Sequence, residues 1–210
     1  APYTVTVRTT LPNGVPDTDN TNDELSKSIL SCAALNGIYT INAGAATGGT
    51  NFNSFTDAVT RLVQCGITGT VTFNVTPASG PYIEQITIPA ISGASTINTI
   101  TFNGNNDTLK FAPDTLNRHI IKLDGAKHIT FNEISILSTS ADYGWGIHLI
   151  NEADSNTITN CYIDMSSVTA TLPQNSAGVM GMNSSTSSIA QGNTTNYLTI
   201  SNNFITGGYQ

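Results

Sequence analysis

Short apolar segments recur in the second half of the chain at a nearly fixed spacing. They read ITFNGNND from Ile100, ITFNEISI from Ile129, ITNCYIDM from Ile158 and LTISNNFI from Leu198. The first three begin 29 residues apart, and the fourth begins 40 residues later, after a segment rich in Ser, Thr and Asn. A period of this length is typical of stacked supersecondary units. We therefore expect at least four copies of one short unit.

Alternation within each unit predicts strands with one buried face. In ITFNEISI, Ile129 and Phe131 alternate with polar residues, the phase changes at Asn132-Glu133, and the pattern resumes at Ile134 and Ile136. Side chains two positions apart on a strand share a face, so these four can point to one interior. A second short strand precedes each such segment, and these partner strands are Ile86–Ile91, His119–Leu123, Gly146–Ile150 and Gly178–Met182. The sequence thus predicts two strands per unit, joined by polar corners.

Asn recurs where the phase changes, at Asn132, at Asn160 and at Asn202-Asn203. Stacked Asn side chains at successive corners can hydrogen-bond one another and the turn backbone. The alternative is that Asn is present only because it is a common turn residue. The first interpretation predicts an asparagine ladder along the stack.

One amphipathic helix is predicted, over Asn53 to Gly66. Five apolar residues form a stripe at helical spacing, and they are Phe55, Ala58, Val59, Leu62 and Val63. Asn53 or Ser54 can cap its start, and Gly66 ends it. We expect the stripe to cover the open apolar end of the stack, because such ends need capping.

The repeat pattern resembles the right-handed parallel β-helix of the pectin-lyase-like fold, over roughly Gly69 to Tyr209. The fold class is therefore expected to be all-β, with a short N-terminal capping helix. Residues 1–31 contain two strand-like segments around a polar turn, and they resemble the closing strands of an immunoglobulin-like repeat with a linker. Residues 32–68 hold the leading segment and the capping helix, and residues 69–210 hold the β-helix coils, expected to continue beyond the chain.

The three cysteines differ in their surroundings. Cys32 precedes the strand GIYTI and Cys65 ends the helix, so a disulfide between them would close a loop of about 33 residues and contribute ~3 to 4 kcal/mol. Two free thiols are the alternative. Cys161 lies in a repeat strand, where we expect it to be a buried apolar filler.

Composition favours a protein exposed outside the cell. Only 10% of the residues are charged, the net charge is −7, and Thr, Ser, Asn and Gly replace the usual charged surface. Seven scattered Lys and Arg do not form the basic patch that nucleic acids require. No apolar run reaches the ~18 to 20 residues of a membrane span. His119, His128 and His148 lack the close spacing of a zinc site, so no metal site is predicted.

The segment Cys32 to Val75 resembles the leading segment of large β-helix surface proteins secreted by Bacteroidota. The matching motifs are GIYTI, GGTNF, SFTDAV and GTVTFNV. The resemblance implies an extracellular or cell-surface protein, exported by type IX secretion machinery and built with immunoglobulin-like repeats. It also makes Thr108 and Thr115 O-glycosylation candidates, since each is the centre of an Asp-Thr-Leu triplet.

The function favoured by this resemblance is a rigid adhesion or structural module that contacts surface glycans or neighbouring surface proteins. Its uncharged amide and hydroxyl surface can hydrogen-bond sugars without a catalytic centre. Aromatic rings can stack on sugar rings, and the candidates for glycan contact are Tyr82, Tyr143, Trp145 and Tyr162. Each of these rings is also a candidate for ordinary packing.

The alternative is a polysaccharide lyase or glycoside hydrolase of the pectin-lyase-like fold. A lyase needs Ca²⁺ held by carboxylates and an Arg or Lys base, and a hydrolase needs two carboxylates. The candidate residues are Arg118, Lys122, Asp124, His148 and Asp154, with His148 aligned one coil after Lys122. The NTD, DD, GHG and RxK motifs of polygalacturonases are missing, and acids at solvated corners are common without any site. Ca²⁺ enters only with this alternative; otherwise no cofactor is expected.

Overall fold

The structure, a computed structural model, describes residues 2–9, 14, 19, 21, 23–30, 32–189 and 195–208. The chain divides into two units, Ala1–Ala33 and Ala34–Gln210. In the first, β1 (Pro2–Arg8) and β2 (Glu24–Leu30) form an antiparallel pair, as the two strand-like segments predict. The ion pair between Arg8 and Glu24 joins two exposed side chains, so its contribution to stability is small.

The second unit consists of short strands and one α-helix. In chain order they are β3 (Leu35–Ile41), β4 (Asn51–Phe52), α1 (Phe55–Cys65), β5 (Ile67–Val75), β6 (Tyr82–Ile83), β7 (Ile86–Pro89), β8 (Ile100–Asn103), β9 (Thr108–Phe111), β10 (His119–Asp124), β11 (Ile129–Asn132), β12 (Ser135–Ser138), β13 (Gly144–Ile150), β14 (Thr157–Thr159), β15 (Tyr162–Met165), β16 (Ser176–Gly181), β17 (Thr199–Ser201) and β18 (Phe204–Gly207). A 3-10 turn at Pro173–Asn175 precedes β16.

These strands form three parallel sheets. Sheet 1 has the order β17-β14-β11-β8-β5-β3-β4, sheet 2 the order β18-β15-β12-β9-β6, and sheet 3 the order β16-β13-β10-β7. From β5 onward the chain passes through sheets 1, 2 and 3 in turn, so each of the four repeats from β5 to β16 adds one strand to every sheet, and β17 and β18 add one more to sheets 1 and 2. The fold therefore consists mainly of β-strands in parallel sheets, which agrees with the predominantly β-strand structure expected from the sequence.

Each repeat has three strands, and the prediction of two was wrong. Segments such as ITFNEISI are two strands, β11 and β12, separated by a corner at Glu133. Glu133 has φ 53°, and the equivalent Asn160 and Asn202 both have φ 54°. A left-handed residue turns the chain sharply, and Asn accepts this conformation more readily than most residues. The change of phase in the sequence is the trace of this turn.

The interior consists of columns of identical or similar side chains. Phe73, Phe102 and Phe131 stack in adjacent strands of sheet 1, with ring centroids 4.9 and 5.4 Å apart. Stacked ring pairs contribute about 1 kcal/mol each beyond the area they bury. The four apolar side chains of ITFNEISI are all buried, which confirms that both halves of the segment face one interior.

The predicted asparagine ladder is present in sheet 1. Asn103 donates to Asn74 (3.2 Å), Asn132 donates to Asn103 (2.7 Å), and Asn160 donates to Asn132 (2.8 Å). Each side chain thus links its own repeat to the preceding one. At the next corner, Asn203 continues this role through the backbone, since it accepts from the Cys161 N–H at 2.8 Å.

The predicted helix α1 is confirmed, and Ser54 is its N-cap, accepting from the Asp57 N–H at 3.0 Å. Four members of the predicted stripe are buried, whereas Val63 is 51% exposed. Gly66 ends the helix at φ 64°, and a Cβ there would lie 2.7 Å from the Ser92 carbonyl oxygen. Only glycine fits this close approach without strain.

The predicted disulfide between Cys32 and Cys65 is present. Cys161 is a buried free thiol, and its Sγ lies 3.3 Å from the Thr159 carbonyl oxygen. Burial raises the pKa of this thiol, so it stays protonated and unreactive. The prediction of a buried filler at this position is confirmed.

Candidate functional site

The outer side of sheet 3 gathers most of the predicted chemistry. Strand β10 carries His119 and Lys122, and strand β13 carries Trp145 and His148. The strand register pairs His119 with Trp145 and Lys122 with His148. The predicted alignment of Lys122 with His148 is therefore confirmed. Arg118 immediately precedes β10. We call Arg118, His119, Lys122, Trp145 and His148 together the sheet 3 cluster.

Arg118 is held in place by the aromatic residues around it. Its guanidinium lies 4.6 Å from the centroid of the Tyr143 ring and 5.8 Å from that of Trp145. Both Arg118 Nη1 and Trp145 Nε1 donate to the Gln174 carbonyl oxygen, at 2.7 and 3.1 Å. These bonds fix the 3-10 turn against the cluster. Arg118 is only 7% exposed, so its present contacts are structural.

The two histidines are buried beside each other, with ring centroids 6.5 Å apart. The pKa of His119 is lowered to about 3, mainly by burial and to a smaller extent by Lys122 and His148. Burial also lowers the pKa of His148, against the opposing effect of its 2.8 Å bond to the Met182 carbonyl. Both rings are therefore neutral at pH 7. A pKa this far below neutral makes His119 a weak base, so burial disfavours this ring as a general base at pH 7.

Four buried side-chain atoms in the described part of the chain have no hydrogen-bond partner, and all four belong to this region. They are Arg118 Nε, His119 Nδ1, His148 Nδ1 and Ser176 Oγ. Unpaired buried polar atoms are uncommon in folded proteins and often mark functional sites. Ser176, the first residue of β16, was not predicted, because nothing in its local sequence sets it apart.

The candidate carboxylates lie at corners and make contacts between repeats. Asp154 accepts from Lys127 at 2.7 Å and from the Asn196 N–H at 2.8 Å, and the lysine bond is the main reason that its pKa is lowered. Asp124 accepts from Asn151 at 2.6 Å. The lowered pKa keeps Asp154 ionised at neutral pH. Within residues that the structure describes, no three His, Cys, Asp or Glu side chains gather as metal ligands.

Two of the four predicted glycan-contact rings are buried, which corrects their assignment. Tyr82 is 3% exposed and bonds Ser79 and the Ile41 carbonyl, and Trp145 is fully buried. Tyr143 packs on Arg118. Tyr162 remains 39% exposed and stacks on Phe204, which is 62% exposed, at 5.5 Å and 8° between ring planes. Phe204 was missed, because the pairing of β15 with β18 spans the irregular 40-residue interval.

The two O-glycosylation candidates have different settings. Thr115 is exposed, in a loop where Asp114 accepts from the Leu116 and Asn117 N–H groups at 2.8 Å each. Thr108 lies in β9, where it pairs with Ser135. Thr115 is therefore the more accessible hydroxyl.

Comparison with protein-family models gives no match to this chain. Comparisons with curated proteins and with solved structures give none either. In the described ranges, no helix has the length and apolar character needed to cross a bilayer. The chemistry of the side chains therefore carries the functional argument.

Proposed function

We propose that residues 34–210 form a right-handed parallel β-helix. Its support is the topology, since three parallel sheets receive strands in the same order in every repeat. Parallel strands joined by crossovers are right-handed in about 98% of cases. The ladders of Phe and Asn side chains are what a stack of nearly identical turns requires.

We further propose that this stack is a rigid adhesion or structural module of an exported surface protein of the Bacteroidota type, and that it contacts glycans. One observation carries this proposal: three of the four charged candidate side chains, Arg118, Asp124 and Asp154, are engaged in contacts between repeats. Arg118 and Asp154 each bond residues of a later repeat, at Gln174 and Asn196 respectively. Charged groups in such contacts stabilise the stack. The surface that remains for binding partners then consists mainly of uncharged amide and hydroxyl groups.

A polysaccharide lyase or hydrolase is the second candidate, and the sheet 3 cluster favours it. Neutral buried histidines beside Lys122, with unpaired ring nitrogens, are the kind of group that an active site uses. The two candidate carboxylates, Asp124 and Asp154, are both engaged in contacts between repeats. We therefore place this candidate second.

A degradation assay separates the two. The 210-residue protein is incubated with uronate and neutral polysaccharides, with and without Ca²⁺, and unsaturated products and reducing ends are measured. The adhesion proposal predicts binding to immobilised glycans without turnover. Turnover that is abolished by Arg118→Ala, Asp124→Asn or Asp154→Asn would establish the enzyme instead. Absence of both binding and turnover would contradict both candidates.

Export by type IX secretion machinery, and immunoglobulin-like neighbours for the β1–β2 hairpin, belong to the same proposal. It includes O-glycosylation at Thr115 in the native host. Intact-mass spectrometry of protein from that host tests it, with Thr115→Ala as the variant expected to lose the added mass. A native protein with the bare polypeptide mass would exclude the modification.

A further inference from the structure

A cleft lies between helix α1 and the first strand of sheet 3. Its volume is about 290 Å³, and its walls come from one side of α1 and from Gln85 to Thr87. Val63 borders it, which explains why this member of the apolar stripe is half exposed rather than packed. We call it the helix cleft. It is separate from the sheet 3 cluster, although Thr87 contacts His119 at 3.3 Å.

The helix cleft combines an aliphatic floor with uncharged polar walls. The floor consists of Val59, Val63 and Ile86, and hydroxyl and amide groups come from Thr60, Gln64 and Thr87. No charged side chain lines it. The nearby carboxylate of Glu84 is occupied, since it accepts from the backbone N–H groups of Phe55 and Thr56 at 3.2 and 2.7 Å.

Three polar groups of the helix cleft have unused capacity. Neither Thr60 nor Gln64 makes a side-chain hydrogen bond with the residues that the structure describes. Gln85 uses its amide N–H₂ on the carbonyls of Asn117 and His119, at 3.0 and 2.7 Å, which leaves its carbonyl oxygen as an acceptor. Donors and acceptors are therefore both available around the floor.

These features select one chemical class of ligand. An ion would enter without a counter-charge, which is unfavourable, and a hydrocarbon would desolvate the polar walls without replacing their hydrogen bonds. A neutral pyranose satisfies both surfaces, since one face of the ring carries C–H groups and its edge carries hydroxyls. The volume lies at the small end of ligand sites and suits a single sugar residue.

We propose that the helix cleft binds one uncharged sugar residue of a glycan, an inference that rests on the glycan contact proposed above and gives it a location. The C–H face lies on Val59, Val63 and Ile86, and hydroxyls reach Thr60, Gln64 and Gln85. A site of this size with few anchors binds weakly, with a dissociation constant on the order of 1 mM.

Amide chemical shifts of the whole chain test this proposal. The methyl glycosides of glucose, galactose, mannose and N-acetylglucosamine are each titrated, with sodium glucuronate as the charged probe. We expect at least one neutral glycoside to shift amides of α1 and of residues 85–87, while glucuronate has no effect there. Shifts at these positions that are larger with glucuronate would overturn the neutral chemistry.

Three variants assign the site. Thr60→Trp fills the helix cleft from an exposed position and should abolish the shifts. Ile97→Trp introduces the same ring elsewhere, at a side chain that is 82% exposed, and should leave them intact. Gln64→Ala removes one hydrogen-bonding group and should weaken binding roughly tenfold. Shifts confined to Tyr162 and Phe204 would disprove the helix cleft while leaving glycan contact standing. A folded spectrum without any shift disproves the helix cleft, and the immobilised-glycan assay then decides glycan contact independently.

Discussion

Asn156 shows how much one residue holds together in this fold. It is fully buried, donates to the carbonyls of Ala126 and Ala153, and accepts from the Ile129 N–H, each at 2.9 Å. It thus closes the corner of one repeat and joins it to the previous one. The sequence did not predict this role, because it depends on segments about 30 residues away.

Replacing Asn156 by Ala should lower the free energy of unfolding by about 3 kcal/mol, because one N–H and two carbonyls stay buried without partners. Urea unfolding followed by circular dichroism measures this change. Asn36→Ala, at an exposed position of β3, is the matched control and should change stability by less than about 0.5 kcal/mol. Equal losses in the two variants would show that Asn156 is dispensable.

His119 should make stability depend on pH. Its pKa is about 3 in the folded protein, below the ordinary 6.5, so the unfolded chain binds the proton more readily. The stabilising contribution is complete above pH 6.5 and decreases as pH falls from 6.5 toward 3, by about 1.4 kcal/mol per unit. Lys122 and His148 also lower the pKa of this ring and Asp114 raises it, and carboxylates add their own acid dependence.

The effect of His119 is therefore measured as a difference in the pH dependence of the unfolding free energy between the parent protein and its variants. His119→Gln should flatten the dependence of unfolding free energy on pH between 6 and 4, relative to the parent protein. Asn36→Gln, which changes an exposed residue without a titratable group, is the control, and its slope should match that of the parent protein. If the curves of unfolding free energy against pH were parallel for the parent protein and His119→Gln, they would contradict a buried neutral ring at His119.

At the scale of elements, α1 was predictable in detail and its attachment was not. The spacing of apolar residues and the caps at Ser54 and Gly66 are local signals, and both are confirmed. Glu84 bonds the start of the helix from 28 residues away, and the sequence carries no local sign of this contact. Likewise, each corner appeared as a change of phase, but its left-handed residue became evident only in the fold.

Glu84→Gln should destabilise the second unit by about 1 to 2 kcal/mol. The carboxylate accepts from the N–H groups of Phe55 and Thr56, and its negative charge faces the positive end of the helix dipole. Gln retains the shape but loses the charge and one acceptor. Glu133→Gln is the control, since that side chain makes no hydrogen bond within the described residues. Thermal unfolding measures the loss of stability in both variants.

At the scale of the whole molecule, the repeat predicted the stacking but not the surface chemistry. Column positions follow from a period of 29 residues, so the Phe and Asn ladders could be anticipated. The helix cleft could not, because it brings together α1 and the first strand of sheet 3. In the sheet 3 cluster the pairing of Lys122 with His148 was predicted, whereas the contacts of Arg118 with Tyr143 and Gln174 were not, because these residues lie in separate repeats. Their geometry depends on loop lengths that vary from one repeat to the next.

Stacking also predicts a gradient of stability within this polypeptide, since each repeat contacts only its neighbours. Leu109, Ile136, Ile163 and Ile205 form one column in sheet 2. Ile136 is fully buried between two strands, whereas Ile205 is 44% exposed in β18, which pairs only with β15 among the described strands.

Ile136→Ala should therefore cost about 3 kcal/mol and Ile205→Ala less than about 1 kcal/mol, although the chemical change is the same. Urea unfolding of both variants measures the two losses, and hydrogen exchange should show slower exchange in β12 than in β18. Equal losses would contradict the gradient, and they would show that β18 is covered as fully as the interior strands.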